Sequence, residues 1–191
     1  DEDLTWDSSD EKAIDLANPA AADGVNVNNG TITITADGTY RLSGEYNGQV
    51  KIEAGKSDTV RLVLDNAKIT NSTGPAINVA GAGEAIIYTA SGTANTIADG
   101  ANYAAKGADD PDAAIYSTAN LTLAGEGSLS VEGSYEEGIH TTGGLVIASG
   151  TLEVNAANTG IKGKDYVDIT GGIVNVTAAQ DGIKSTNTDD E

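Results

Sequence analysis

The sequence predicts an all-β fold, one chain wound into a parallel β-helix of about seven coils, and three observations predict it. A Gly-Ile step recurs as Gly138-Ile139-His140, Gly160-Ile161-Lys162 and Gly182-Ile183-Lys184, at intervals of 22 residues. Each interval holds short runs of alternating apolar and polar residues, punctuated by Gly, Ser, Ala and Asn, the pattern of half-buried strands joined at corners. Phe, Met and Cys are absent and aromatics make up 4% of the chain, so the core must be built from Ile, Val, Leu and Ala. A period of 22 is too short for a βαβ unit and carries no helical apolar stripe. Strands repeating once per turn place like residues on like at about 4.8 Å along the axis.

Taken from the N-terminus, residues 1–24 form an acidic extension whose Leu4, Trp6, Ile14 and Leu16 suit a cap over one end of the stack. Any helix is confined to a few residues near Glu11–Ala17. The solenoid occupies residues 25–191. Val25-Asn26-Val27, Ile32-Thr33-Ile34, Tyr40-Arg41-Leu42, Val50-Lys51-Ile52, Val60–Leu64, Ile77-Asn78-Val79 and Ile86-Ile87-Tyr88 are its early strands. An acidic insertion at 98–112 interrupts the rhythm as a projecting loop. The regular coils then align Leu121 with Leu145 and Val167, Leu123 with Ile147 and Ile169, and Val131 with Val154 and Val176. Seven coils give a rod on the order of 35 Å long. The last coil, starting at Gly182-Ile183, leaves strand edges that the acidic tail covers or that another chain pairs with.

Twenty-nine acidic residues face ten basic ones, a net charge of −19. Such a chain repels nucleic acid and anionic lipid, and no apolar run is long enough for membrane insertion. Without Cys there are no disulfides or thiolate sites. The sequence opens at Asp1 with neither Met nor a signal-like segment, as a processed, exported, extracellular chain would.

Acids concentrate in Asp1–Lys12, Asp99–Asp112 and Asp181–Glu191, with six, four and four each. Hard oxygen ligands without Cys or a His cluster point to Ca²⁺ as the cofactor; the alternative is that these are solvated acidic segments. Within the repeats, oxygen-bearing corners fall in register at Glu136-Glu137, Asn158-Thr159 and Gln180-Asp181, and again at Lys164-Asp165 and Thr186-Asn187. Candidate ligands on this reading are Glu137, Asp165, Asp181 and Asn187 at corners, with Asp189 and Asp190 in the tail.

If Ile115, Ile139, Ile161 and Ile183 point inward, the next residue in each strand points out. That aligns Tyr116, His140, Lys162 and Lys184 on one face, with Asn78 ahead of them. A basic and aromatic line on an acidic rod reads as a polysaccharide track, its cations meeting uronate carboxylates and Tyr116 stacking on a sugar. The alternative is that the lysines pair locally with Glu137, Asp165 or Asp181. No catalytic residue is assigned: His140 is the one His of the chain, and the carboxylates are too many to single out a dyad.

Four stretches carry a family resemblance: GTYRLSGEYNGQVKIEA (38–54), TVRLVLDNAKITNSTGPAINV (59–79), DDPDAAIYSTANLTLAGEGSLSVEG (109–133) and GIHTTGG through DGIKSTN (138–187). They resemble bacterial exported carbohydrate-binding domain-containing proteins, relatives of the pectate-lyase-like solenoids. The resemblance implies a right-handed parallel β-helix, bound Ca²⁺, and non-catalytic adhesion to acidic plant polysaccharide or cellulose. It favours Asp109, Asp110 and Asp112, and the corners at Asp165 and Asp181, as ion ligands. Thr159 stands where an Asp is common in the family, which weakens that corner.

The expected function is therefore an extracellular Ca²⁺-binding, carbohydrate-binding adhesin that is not an enzyme. Its partner is a uronate-rich polysaccharide or cellulose. The alternative is a subunit that stacks on copies of itself, end to end, into a Ca²⁺-stabilised filament. A polysaccharide lyase with Lys162 as base comes third.

Overall fold

The computed structural model describes residues 4–104, 107 and 110–187. The chain enters through a 3-10 turn at Ser8–Asp10 and strand β1 (Lys12–Asp15), so the helix expected near Glu11–Ala17 is a strand instead. The reason lies in the pairing: β1 runs parallel to Gly38–Asn47, which puts Ile14 beside Leu42 and into the core. β2 (Val25–Asn28) and β3 (Thr31–Ile34) follow as an antiparallel hairpin. Its Asn29-Gly30 turn has φ of 48° and 75° at the two positions, the mirror-image turn that fits strand twist. Val25–Val27 thus turns back along β3 instead of starting a coil.

β4 (Gly38–Asn47), β5 (Gln49–Glu53) and β6 (Thr59–Asn71) come next. β4 and β6 are long because each bends round a corner and serves two faces. At that bend the register shifts after Ser43, and Asn66 takes a φ of 54° as the extra residue of the bulge. From here each coil has three short strands: β7 (Ile77–Gly81), β8 (Glu84–Thr89) and β9 (Ala94–Asp99). β10 (Ala113–Ser117), β11 (Asn120–Gly125) and β12 (Ser128–Gly133) form the next coil. β13 (Glu137–Thr141), β14 (Gly144–Ile147) and β15 (Thr151–Ala156) follow, then β16 (Ile161–Gly163), β17 (Tyr166–Ile169) and β18 (Ile173–Ala178), before β19 (Ile183–Ser185).

Three parallel faces result. The first stacks β3, β5, β7, β10, β13, β16 and β19, the solenoid of about seven turns that the repeat predicts. The second carries the leading halves of β4 and β6 and then β8, β11, β14 and β17. The third carries their trailing halves and then β9, β12, β15 and β18.

Like residues pile up inside. Ile77, Ile115, Ile139, Ile161 and Ile183 are consecutive partners on the first face. Leu123, Ile147 and Ile169 line the second, and Val131, Val154 and Val176 the third, as the repeat alignment requires. Each interior Ile, Leu or Val contributes roughly 1.5–3 kcal/mol by leaving water. The last coil lacks a neighbour on one side among the described residues, and there Ile169, Ile173 and Ile183 remain 45, 61 and 41% exposed.

Ile14 and Leu16 do join the N-terminal end of the core. Trp6 does not. It lies on the outside of the second face, edge-on to Tyr88 with ring centroids 4.9 Å apart, and donates from Nε1 to Glu11. Arg41 fastens this segment by bridging Glu11 and Asp65.

Candidate functional site

The strand register puts the outward column where the repeat predicts it. Asn78, Tyr116, His140, Lys162 and Lys184 are successive neighbours along the first face. It is not an open track, because the end of the 98–112 insertion folds back over it. Asp112 Oδ1 lies 2.5 Å from His140 Nδ1, and the His140 ring meets Tyr116 edge-on at 5.3 Å. His140 and Tyr116 are consequently only 8 and 7% exposed. This corrects two expectations: His140 does not point freely out to solvent, and Tyr116 is part of a covered floor and not a platform with a free ring face. The start of the insertion is tied down too, since the buried Tyr103 hydroxyl donates to Asp99 and to the Ala113 carbonyl.

Lys162 lies between two carboxylates, 3.7 Å from Asp112 and 3.6 Å from Glu137. Burial works to raise the Asp112 carboxyl, but the His140 hydrogen bond and the charges of His140 and Lys162 outweigh it and hold the group below the usual carboxylate range. Glu137 goes the other way. Burial, and then the neighbouring Asp112 charge, push it up to about 7, with Lys162 holding it back in part.

Oxygen atoms of Asp112, Glu136 and Glu137 lie within 4.8 Å of one another, the one such acidic group found among the described residues. Beside it are three buried polar atoms without a hydrogen-bond partner: Glu137 Oε2, Asn158 Oδ1 and Thr159 Oγ1. Backbone bonds from Asn158 to Glu136 and from Gly138 to Thr159 show that these two corners stack directly. Orphaned oxygens of this kind, beside three carboxylates, fit a hard cation such as Ca²⁺. Lys162 meanwhile supplies part of the neutralising charge.

The other predicted ligands are dispersed. Asp110 accepts a hydrogen bond from the Gly107 backbone, and Asp181 pairs with Lys184 at 2.8 Å. Asp165 and Asn187 are exposed and outside the acidic group. Asp109, Asp189 and Asp190 lie outside the described residues.

A groove of about 390 Å³ opens beside the column. Asp110 and Asp112 form one rim, Tyr116, His140 and Lys162 the floor, and Thr142, Lys164 and Thr186 the opposite rim. Lys184 does not line it, held instead by Asp181. Sequence reading picked out Lys164 and Thr186 only as corners in register and passed over Thr142, although Thr142, Lys164 and Thr186 recur every 22 residues, two places after the outward column.

A model of the carbohydrate-binding domain-containing protein family matches residues 28–191. A carbohydrate-binding domain-containing protein of Acetivibrio thermocellus is 37% identical over 145 residues, which are 74% of this chain and 51% of that protein. The chain thus spans about half the length of the curated relative it matches. The structure of a polysaccharide lyase-like protein from C. thermocellum, a gadolinium derivative, superposes with a TM-score of 0.88 at 35% identity. That match covers 95% of this chain and 75% of the other.

Proposed function

Since the chain belongs to the carbohydrate-binding domain-containing family, we propose that it is an exported, non-catalytic module that holds uronate-rich polysaccharide in the groove beside His140. The observation that carries this reading is the convergence of Lys162 and Lys164 on one concave site, in a chain with only ten basic residues against 29 acidic ones. Lys164 is exposed and projects its charge to the ligand. Lys162, His140 and Tyr116 form a floor whose positions are fixed by Asp112 and by their own packing.

Ca²⁺ at Asp112, Glu136 and Glu137 completes the site, neutralising the acidic wall so that an anionic sugar can approach. The orphaned oxygens at Glu137, Asn158 and Thr159 support it.

The test is retention on immobilised polygalacturonate. Binding should need Ca²⁺, disappear in EDTA, and fall roughly tenfold or more in Lys162→Ala/Lys164→Ala, each lost charge-assisted contact being worth about 1.5 kcal/mol or more. Equal retention of wild type and double variant sinks the proposal.

One observation favours a second reading. The Asp112 contact orients the His140 imidazole as it would orient a general base, which suits elimination across a uronate. Release of unsaturated, ultraviolet-absorbing product by the wild type but not by His140→Ala would establish that chemistry in place of simple binding.

A further inference from the structure

Round the corner from the groove, where the third face turns toward the first, two depressions lie in line along the rod. The first has a volume of about 390 Å³ and is flanked by Asn47, Thr70 and Ala98. The second, about 240 Å³, is flanked by Glu132, Asn155 and Thr177. These six residues are consecutive strand partners, one from each coil. At the strand spacing their row runs about 24 Å.

Asp99, which lines the first depression and is nine-tenths buried, links it to the second. It accepts from the Tyr103 hydroxyl at 2.7 Å and from the Ser134 backbone N–H at 2.5 Å, tying one coil's corner to the next. Tyr103 in turn stacks on Tyr135 with centroids 4.2 Å apart. A side chain at Gly100 would come within 2.6 Å of the Ser72 carbonyl oxygen, so glycine lets these two coils stack closely beneath the trough. The trough is therefore rigid and already formed.

Its chemistry is the reverse of the groove's. Among the described residues no Lys or Arg lines either depression, and Glu132 and Asp99 bring negative charge, so an anionic polymer is repelled. Four of the six positions offer a hydroxyl or an amide, Asn47, Thr70, Asn155 and Thr177, with Ala98 and the Glu132 carboxylate between the two pairs. Thr70 donates to Asn47 Oδ1 at 2.6 Å and Asn155 donates to Glu132 at 2.9 Å. These bonds aim the side chains along the row and leave the Asn47 amide hydrogens and Asn155 Oδ1 for a ligand.

We infer that this trough is a second binding track, for an extended, uncharged polysaccharide lying parallel to the rod. It does not depend on the charged groove, and the two are separable. Sugar hydroxyls meet the polar side chains of Asn47 and Thr70 at one end and of Asn155 and Thr177 at the other, at about 0.5–1.5 kcal/mol per hydrogen bond.

Affinity electrophoresis in gels containing hydroxyethyl cellulose, mixed-linkage glucan or polygalacturonate distinguishes the tracks. Wild type should be retarded by at least one neutral polymer. Thr70→Val/Asn155→Leu keeps the side-chain shapes but removes the polar groups, and should weaken that retardation roughly tenfold while leaving polygalacturonate binding unchanged. Lys162→Ala should do the opposite. No retardation of wild type by either neutral polymer, or retardation that survives Thr70→Val/Asn155→Leu in a folded variant, overturns the inference. If that variant fails to fold, Ala98→Met, which adds uncharged bulk to the trough, takes its place, and undiminished binding then overturns it.

Discussion

Gly138-Ile139-His140 and Gly182-Ile183-Lys184 are the same step two coils apart, in the same strand register, yet they have different surroundings. Ile139 is fully buried between Ile115 and Ile161, whereas Ile183 pairs with Ile161 alone and is 41% exposed. The outward residues diverge as sharply. His140 is covered by Asp112 in a network with Lys162 and Glu137, while Lys184 makes one exposed pair with Asp181. The repeat sets position, and the coils and insertion on either side decide burial and chemistry.

The largest expected effect tests the inner half of this contrast. Ile139→Ala should cost about 2–5 kcal/mol, as for a packed aliphatic side chain with a neighbour on each side. Ile183→Ala should cost less than about 1 kcal/mol, because much of its surface is already wet. Denaturant unfolding of the two variants measures the gap, and equal losses would mean that position in the stack does not control the core.

Next in size is the acidic group of Asp112, Glu136 and Glu137, which has no equivalent on the last coil among the described residues. At a concentration a hundredfold above its dissociation constant, Ca²⁺ should stabilise the wild type by about 2.7 kcal/mol. Glu137→Gln should lose most of that gain. Without metal the sign reverses. Folded Glu137 keeps its proton up to about pH 7, whereas the unfolded chain releases it near 4.5. The folded state therefore binds more protons across that interval, and stability falls as pH rises through it. Asp112, held low, gives the opposite slope at more acid pH. Metal-free Glu137→Gln should then melt above wild type at pH 8, and a lower melting point would contradict the raised carboxyl.

The fold could be read from the sequence because identical aliphatic residues must stack at one spacing; the 22-residue interval displays that directly, down to the Leu123, Ile147, Ile169 file. The outward column was legible for the same reason. What the repeat could not show was the return of the insertion: the residues between Asp99 and Asp112 have no counterpart in other coils, so nothing in the pattern places Asp112 on His140 or buries Tyr103. The Lys12–Asp15 strand was missed similarly, since its partner in β4 is distant and its own four residues carry little alternation.

A smaller effect separates the two lysines. Lys162→Met should cost about 1–2 kcal/mol, as it removes the cation nearest two largely buried carboxylates at distances too long for a tight pair. Glu137 should also titrate higher once Lys162 no longer holds it back, which carboxyl NMR can follow through pH. An unchanged Glu137 titration would show that the two groups are not coupled.

The smallest effect belongs to Lys184. Its contact with Asp181 is short, at 2.8 Å, but the two side chains are 34 and 55% exposed. At such sites water and salt screen the attraction, and ordering two side chains offsets much of the rest. Lys184→Ala should shift stability by no more than about 0.5 kcal/mol, and by less still at high salt. A loss matching that of Lys162→Met would mean that the distance between partners, and not the burial supplied by neighbouring coils, sets the strength of charge pairing along this column.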